Sequence, residues 1–271
     1  MNRPKTLLIF NGDYAYDCWK RTAPTADLRT LVWRENYLEG PLPADVPLEE
    51  FERVRAEFLH SCVPEYSEKA IYDSLIKQHI VLNEFNAPDC KIILFFDCCM
   101  YDMIMLARIF YLLKNTPGQI RLFCENVQLG NSPDVFRQKI SSLREIPRDI
   151  QDLYVYAWEC VLQGPHAVTR FNVDNTAQNE PFLAEAMHRY GEDHPCDGSL
   201  GRSQRQLLEI IRSGISAFDE IFQTFDKYEK YMFMGDTHCL RLLEQLAEQK
   251  LISMQNSGGT PVFHVNNQAI K

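Results

Sequence analysis

The sequence predicts an α/β protein, and three observations carry that expectation. Short strand-like runs lie at Thr6 to Phe10, Thr30 to Trp33, Ile92 to Phe96 and Ile120 to Cys124, and Ile92 to Phe96 is apolar throughout. Such runs suit strands buried on both faces of a parallel sheet. Segments of helical period lie between them. Two of the runs end at small or acidic residues, Asn11-Gly12-Asp13 and Asp97. In open α/β sheets ligands sit where the strands end. The expected architecture is Rossmann-like, a mostly parallel sheet with helices on both faces.

Strand one, Thr6 to Phe10, runs into Asn11-Gly12-Asp13. Strand two, Thr30 to Trp33, lies between the loop at Pro24 and the turn Glu39-Gly40-Pro41. Leu48 to Leu59 and Ser67 to Phe85 have helical spacing, with Ser67 as an N-cap. Ile92 to Phe96 is strand three and Tyr101 to Leu113 its helix. Ile120 to Cys124 is strand four, after the break at Thr116-Pro117-Gly118.

The middle of the chain reads as helical and acidic. Ser132-Pro133 suggests a cap with proline at the first helical position. Leu153 to Leu162 and Phe182 to Tyr190 are further helices, and Gln163 to Glu180 carries little signal. His194 to Gly198 is rich in turn residues. Beyond it, Ser203 to Ser213 is a helix ended by Gly214, and Ser216 caps a second helix through about Phe225. Thr237 to Lys250 is a third, and Leu251 to Met254 with Pro261 to Val265 form a hairpin. Three helices and a hairpin follow the winged-helix order. The expected division is an α/β domain at 1–126, a helical connecting segment at 127–198 and a winged-helix-like domain at 199–271.

A length of 271 residues is comfortable for two domains. No apolar run approaches the roughly 18 residues of a membrane helix. Leu7 to Phe10 is too short for the core of a secretory signal. A cytoplasmic protein is therefore expected. The nine cysteines show no C-x-x-C spacing and read as reduced, mostly packed thiols. The net charge is −9, and residues 199–271 balance to zero. Nucleic-acid affinity rests largely on Lys and Arg neutralising phosphates, so nucleic acid is not an expected partner.

The candidate ligand-binding residues are Asn11, Gly12, Asp13, Arg34, Gly40, Arg55, Asp97, Cys98 and Asp102. Glycine lets backbone approach a ligand, and aspartate can hold a hydroxyl or a metal. No G-x-G-x-x-G and no P-loop lysine follows strand one, so neither nucleotide fingerprint is expected. Asp13, Asp97 and Asp102 could share one hard cation. The alternatives are a helix cap at Asp13 or Asp97 and a solvated first-turn acid at Asp102. No metal is assigned. Cys98 and Cys99 stand at a helix start, which lowers a thiol pKa, but packed thiols fit better beside these acids. Arg34, Arg53 and Arg55 near Gly40 could hold an anion, or could pair with neighbouring glutamates.

At these residues the chain resembles a bacterial family whose N-terminal domain is catalogued as domain of unknown function 1835. That domain is often joined to a small C-terminal helical domain. The matching segments are Leu8 to Asp13, Val32 to Glu35 with Glu39-Gly40-Pro41, and Arg55 with Phe58-Leu59. They continue with Phe95 to Asp97 through Tyr101-Asp102, Pro181 to Leu183, Ser199 to Arg202 with Gln206 to Leu208, and Phe233 to Thr237. The resemblance implies no activity. Where members carry a Glu-His-Asp-like run, this chain has Asp97-Cys98-Cys99, which weighs against proton transfer by a histidine there.

The expected function is binding of a small polar or anionic molecule at the strand ends, with a regulatory or protein-interaction module behind it. The alternatives are a carboxylate-dependent hydrolase or nucleotide-processing transferase, and a DNA-binding transcription regulator. No cofactor is assigned.

Overall fold

A computed structural model describes residues 5–22, 28–127, 129–131, 133, 136, 143–229, 235–257 and 260–266. Pro24, Ser132, Phe233, Met234 and the hairpin tip at 258–259 lie outside them. The chain divides into two compact units, Met1–Met187 and His188–Lys271.

The first unit is α/β. Its strands are β1 (Thr6–Phe10), β2 (Arg29–Val32), β3 (Lys91–Asp97), β4 (Gln119–Glu125) and β5 (Arg144–Glu145), in the order β2-β1-β3-β4-β5. The first four are mutually parallel, and β5 runs antiparallel on the edge beside β4. The helices are α1 (Asp13–Thr22), α2 (Leu48–Cys62), α3 (Glu68–Glu84), α4 (Met100–Leu112), α5 (Arg148–Gln163) and α6 (Pro165–Val173), and α7 (Pro181–Asp193) runs across the division between Met187 and His188. The strands without alternation are buried as expected: Leu7 to Phe10 and Ile92 to Phe96 are all in the core.

Side chains two apart share a face of the sheet. Leu8, Phe10, Ile93, Phe95 and Phe123 pack with Ala15, Cys18 and Trp19 of α1. Phe10 stacks on Phe95 with ring centroids 5.3 Å apart. Helix α4 packs on α5 through Phe110 and Tyr154, centroids 4.8 Å apart. Ser67 caps α3, its hydroxyl accepting from the Ala70 N–H at 3.2 Å.

The silent stretch between Gln163 and Glu180 contains α6. Gly164, at φ +92°, closes α5, and Pro165 opens α6 at once. Arg144 of β5 holds Glu180 with both terminal nitrogens, at 2.7 and 2.9 Å.

The second unit contains α8 (Arg202–Arg212), α9 (Phe218–Asp226), α10 (Asp236–Glu248) and the hairpin β6 (Ile252–Ser257) with β7 (Thr260–Val265). Leu207, Ile211, Ile221, Phe225, Leu243 and Phe263 form its core. Ser216 does not cap α9 as expected. The N-cap is Ala217, because the Ser216 carbonyl accepts from the Phe263 N–H of β7 at 2.9 Å. No helix among the described residues is long and apolar enough to cross a membrane.

Candidate functional site

The chain leaves β1 and β3, neighbours in the sheet, at the same edge. The Asn11 N–H donates to the Phe95 carbonyl at 3.2 Å, and the Trp33 N–H to the Phe10 carbonyl at 2.9 Å. Gly12 takes φ +149° to turn β1 into α1, and a Cβ built there would meet nothing within 4 Å. The turn therefore needs glycine for its backbone and is open above it.

Asn11 binds two carboxylates. Its Nδ2 donates to Asp102 Oδ2 at 2.5 Å and to Asp97 Oδ2 at 3.3 Å. Asp102 Oδ2 also accepts from the Asp97 N–H at 2.6 Å, and Asp97 Oδ1 accepts from the Leu129 N–H at 3.0 Å. Asp102 is 1% exposed, so it is a buried latch rather than a solvated first-turn acid. Asp97 does not cap α4 either; that position is Cys99, with no side-chain bond. Burial pushes the Asp97 carboxyl up to about 6, against the Leu129 and Asn11 donors. Burial, and then the charge of Asp97, raises Asp102 well above the carboxylate range. Such a pair favours holding a proton where isolated aspartates would not.

The thiols beside this pair are buried. Burial first, and the adjacent carboxylates after it, raise Cys98 to about 11 and Cys99 well above its ordinary value. The helix start does not activate them, because desolvation of a thiolate outweighs it. Cys98 Sγ lies 3.8 Å from Asn126 Oδ1.

Asp13 faces away toward β2. Arg34 grips it with Nε and Nη2, at 2.8 and 2.5 Å, in an exposed bidentate pair. The guanidinium holds the Asp13 carboxyl below the usual range. The Arg34 backbone N–H is fixed by Gln78 Oε1 at 2.6 Å. Next to the pair opens a cavity of about 510 Å³. Asp13, Arg34 and Asn36 line one side, and Leu59, Val63, Tyr66, Ile71 and Leu75 of α2, α3 and their connection line the other.

Arg55 and Gly40, expected at the ligand, are structural instead. Arg55 is 0% exposed. Its five N–H groups go to the Glu35 carboxylate twice and to the carbonyls of Asn36, Glu39 and Pro41. No donor remains for an anion. Gly40 sits at φ +76°, and a Cβ there would lie 2.5 Å from the Phe58 ring. Together they shape the 35–41 loop behind the cavity.

A second buried cluster carries no sequence signal. His79 Nε2 lies 2.8 Å from Glu52 Oε1, and Arg108 Nη2 reaches the same oxygen at 3.4 Å. Arg108 also lies over the Phe51 ring, 4.1 Å from its centroid.

The sheet edge thus gathers Asn11, Asp97, Cys98 and Asp102 around one buried knot, and Asp13 with Arg34 around an open cavity. Among the described residues no three His, Cys, Asp or Glu side chains are grouped to hold a metal ion. Comparison of the chain with protein-family models and with curated proteins finds no match.

Proposed function

We propose that the first unit binds a small anionic molecule with an apolar part at the C-terminal ends of the parallel strands. The observation that carries this is the cavity of about 510 Å³ with a half-exposed Arg34 at its polar side and an apolar wall opposite. Ligand sites are commonly apolar clefts with a few polar groups that fix orientation, and the forked guanidinium matches a carboxylate or phosphate. The test is titration with a panel of small aromatic and branched carboxylates and phosphates, read by thermal shift and calorimetry. At least one should bind, and Arg34→Ala should weaken it about tenfold. Binding unchanged by Arg34→Ala, or no binding across the panel, would overturn the reading.

The second reading is a carboxylate-dependent hydrolase or nucleotide-processing transferase. Asp97 favours it, because a carboxyl near 6 can take or give a proton around neutrality. Hydrolytic turnover with a rate that titrates near that value and disappears in Asp97→Asn would replace the binding reading.

The second unit is proposed as a winged-helix-like module for regulation or protein interaction. Its element order supports this, and the zero net charge of residues 199–271 argues against DNA positioning. Retention of duplex DNA at nanomolar protein and physiological salt would favour the regulator reading instead. Membership of the domain of unknown function 1835 family and a cytoplasmic location belong to the same proposal. The ordered segments at Leu8 to Asp13 and Phe95 to Asp102 support the first.

A further inference from the structure

A second cavity of about 290 Å³ runs along the outer edge of β2, against α3. It shares Arg34 and Ser74 with the larger cavity, so the two adjoin at these residues. Its lining is cationic. Arg29, Arg34 and Lys77 line it with the hydroxyls of Thr30 and Ser74, and among the described residues no Asp or Glu does. In a chain of net charge −9 this is a local reversal of sign. Arg29 and Lys77 are exposed and have no ion-pair partner among the described residues. Asp73, the nearest acid along α3, is engaged by Lys69 at 2.6 Å. Arg34 spends Nε and Nη2 on Asp13, which leaves Nη1 for a second acceptor.

We propose that this groove is a phosphate subsite, and that the molecule bound by the first unit is an organic phosphate. Its apolar or aromatic body lies against Tyr66, Ile71 and Leu75, and its phosphate lies between Arg34, Arg29 and Lys77. This rests on the binding reading of the larger cavity and names its ligand class. Three cations lining one groove suit a dianion better than a single carboxylate. A phosphate offers three acceptor oxygens where a carboxylate offers two. The two lysine and arginine side chains beyond Arg34 have no role for a ligand confined to the larger cavity. The subsite lies beside β2 and α3, away from the turn after β1, so it does not need a glycine-rich phosphate loop.

The experiment compares naphthyl phosphate, naphthoate and inorganic phosphate by calorimetry on the full chain, in wild type, Arg34→Ala and the double variant Arg29→Ala, Lys77→Ala. Arg29 and Lys77 are exposed, so the double variant should fold, which circular dichroism checks. Naphthyl phosphate should bind at least tenfold tighter than either of the others, and more weakly as salt is raised. The double variant should lose at least fivefold for naphthyl phosphate and leave naphthoate unchanged, whereas Arg34→Ala should weaken both. If Arg34→Ala weakens both ligands and the double variant changes neither, the subsite is wrong while the binding reading stands. If inorganic phosphate binds as tightly as naphthyl phosphate, the groove holds an adventitious anion only. If no probe binds, the binding reading falls and the subsite with it.

Discussion

The Asn11 amide donates to the Asp102 carboxylate at 2.5 Å across 91 residues of chain. That bond ties the end of β1 to the first turn of α4, and the same oxygen accepts the Asp97 N–H at the end of β3. One buried oxygen therefore holds three backbone segments at the sheet edge from which Asp13 and Arg34 reach the cavity. Removing it takes an acceptor from two donors, the Asn11 amide and the Asp97 N–H, which is the costly direction for a buried hydrogen bond.

Asp102→Ala should destabilise the fold by about 2–4 kcal/mol, as two buried donors lose their acceptor. Asp102→Asn should cost under about 1 kcal/mol, because an amide oxygen replaces the acceptor and burial already disfavours the charged form of Asp102. Urea unfolding of both variants measures the difference. Equal losses would show that the charge, and not the acceptor, matters.

Asp97 makes stability depend on pH. Its folded value of about 6 lies above the ordinary 3.8, so ionising it costs more in the folded chain than in the unfolded one. Its contribution is full below about pH 4 and is lost as the pH rises through about 6. The loss is on the order of 3 kcal/mol. Asp97→Asn should therefore be more stable than wild type at pH 7.5, and the gap should close at pH 4. A gap that is constant with pH would assign Asp97 an ordinary titration.

Arg55→Met should cost about 3–5 kcal/mol, since it strands the buried Glu35 carboxylate and frees three loop carbonyls. Arg55→Lys should recover only part, because an ammonium cannot make the five-donor fork. The readout is again urea unfolding. A Lys variant as stable as wild type would reduce Arg55 to a point charge.

The thiols at the head of α4 should be unreactive. Cys196 is exposed while Cys98 and Cys99 are buried, and burial raises the pKa of both buried thiols. Iodoacetamide at pH 8 should label Cys196 much faster than either, by peptide mass spectrometry. Labelling of Cys98 at the Cys196 rate would reopen nucleophilic chemistry there.

The strands were legible because full burial leaves no room for alternation, so Leu7 to Phe10 and Ile92 to Phe96 announce themselves. The parallel reading brings the ends of β1 and β3 to one sheet edge, but the expectation that Asp13 and Asp97 meet at one ligand does not hold, since Asp13 turns to Arg34 and Asp97 meets Asn11 instead. The two-residue β5 was not legible, since two residues carry no periodicity. Nor was α6, which lies between a glycine turn and a polar loop. The roles of Arg34 and Arg55 could not be separated by spacing. One is half exposed and the other buried, and that difference is made by Glu35, Phe58 and the carbonyls of a loop that only folding brings around it. The cavity wall likewise comes from α2 and α3 meeting, which no local pattern encodes. The Glu52, His79 and Arg108 cluster joins three helices and reads in sequence as ordinary surface polarity.

The place of β1 between β2 and β3 has a consequence for synthesis. Its partner β3 is made long after it, and the Asn11 to Asp102 bond must wait for residue 102 to leave the ribosome. At typical elongation rates that delay is on the order of ten seconds. Throughout it, Leu7 to Phe10 has β2 as its only strand neighbour of the final sheet and one bare edge of backbone donors and acceptors. Closing so long a loop is slow as well as late. The nascent chain therefore carries an adhesive strand for about half of the synthesis of its first unit, which makes its yield in the cell sensitive to chaperone supply and to translation speed.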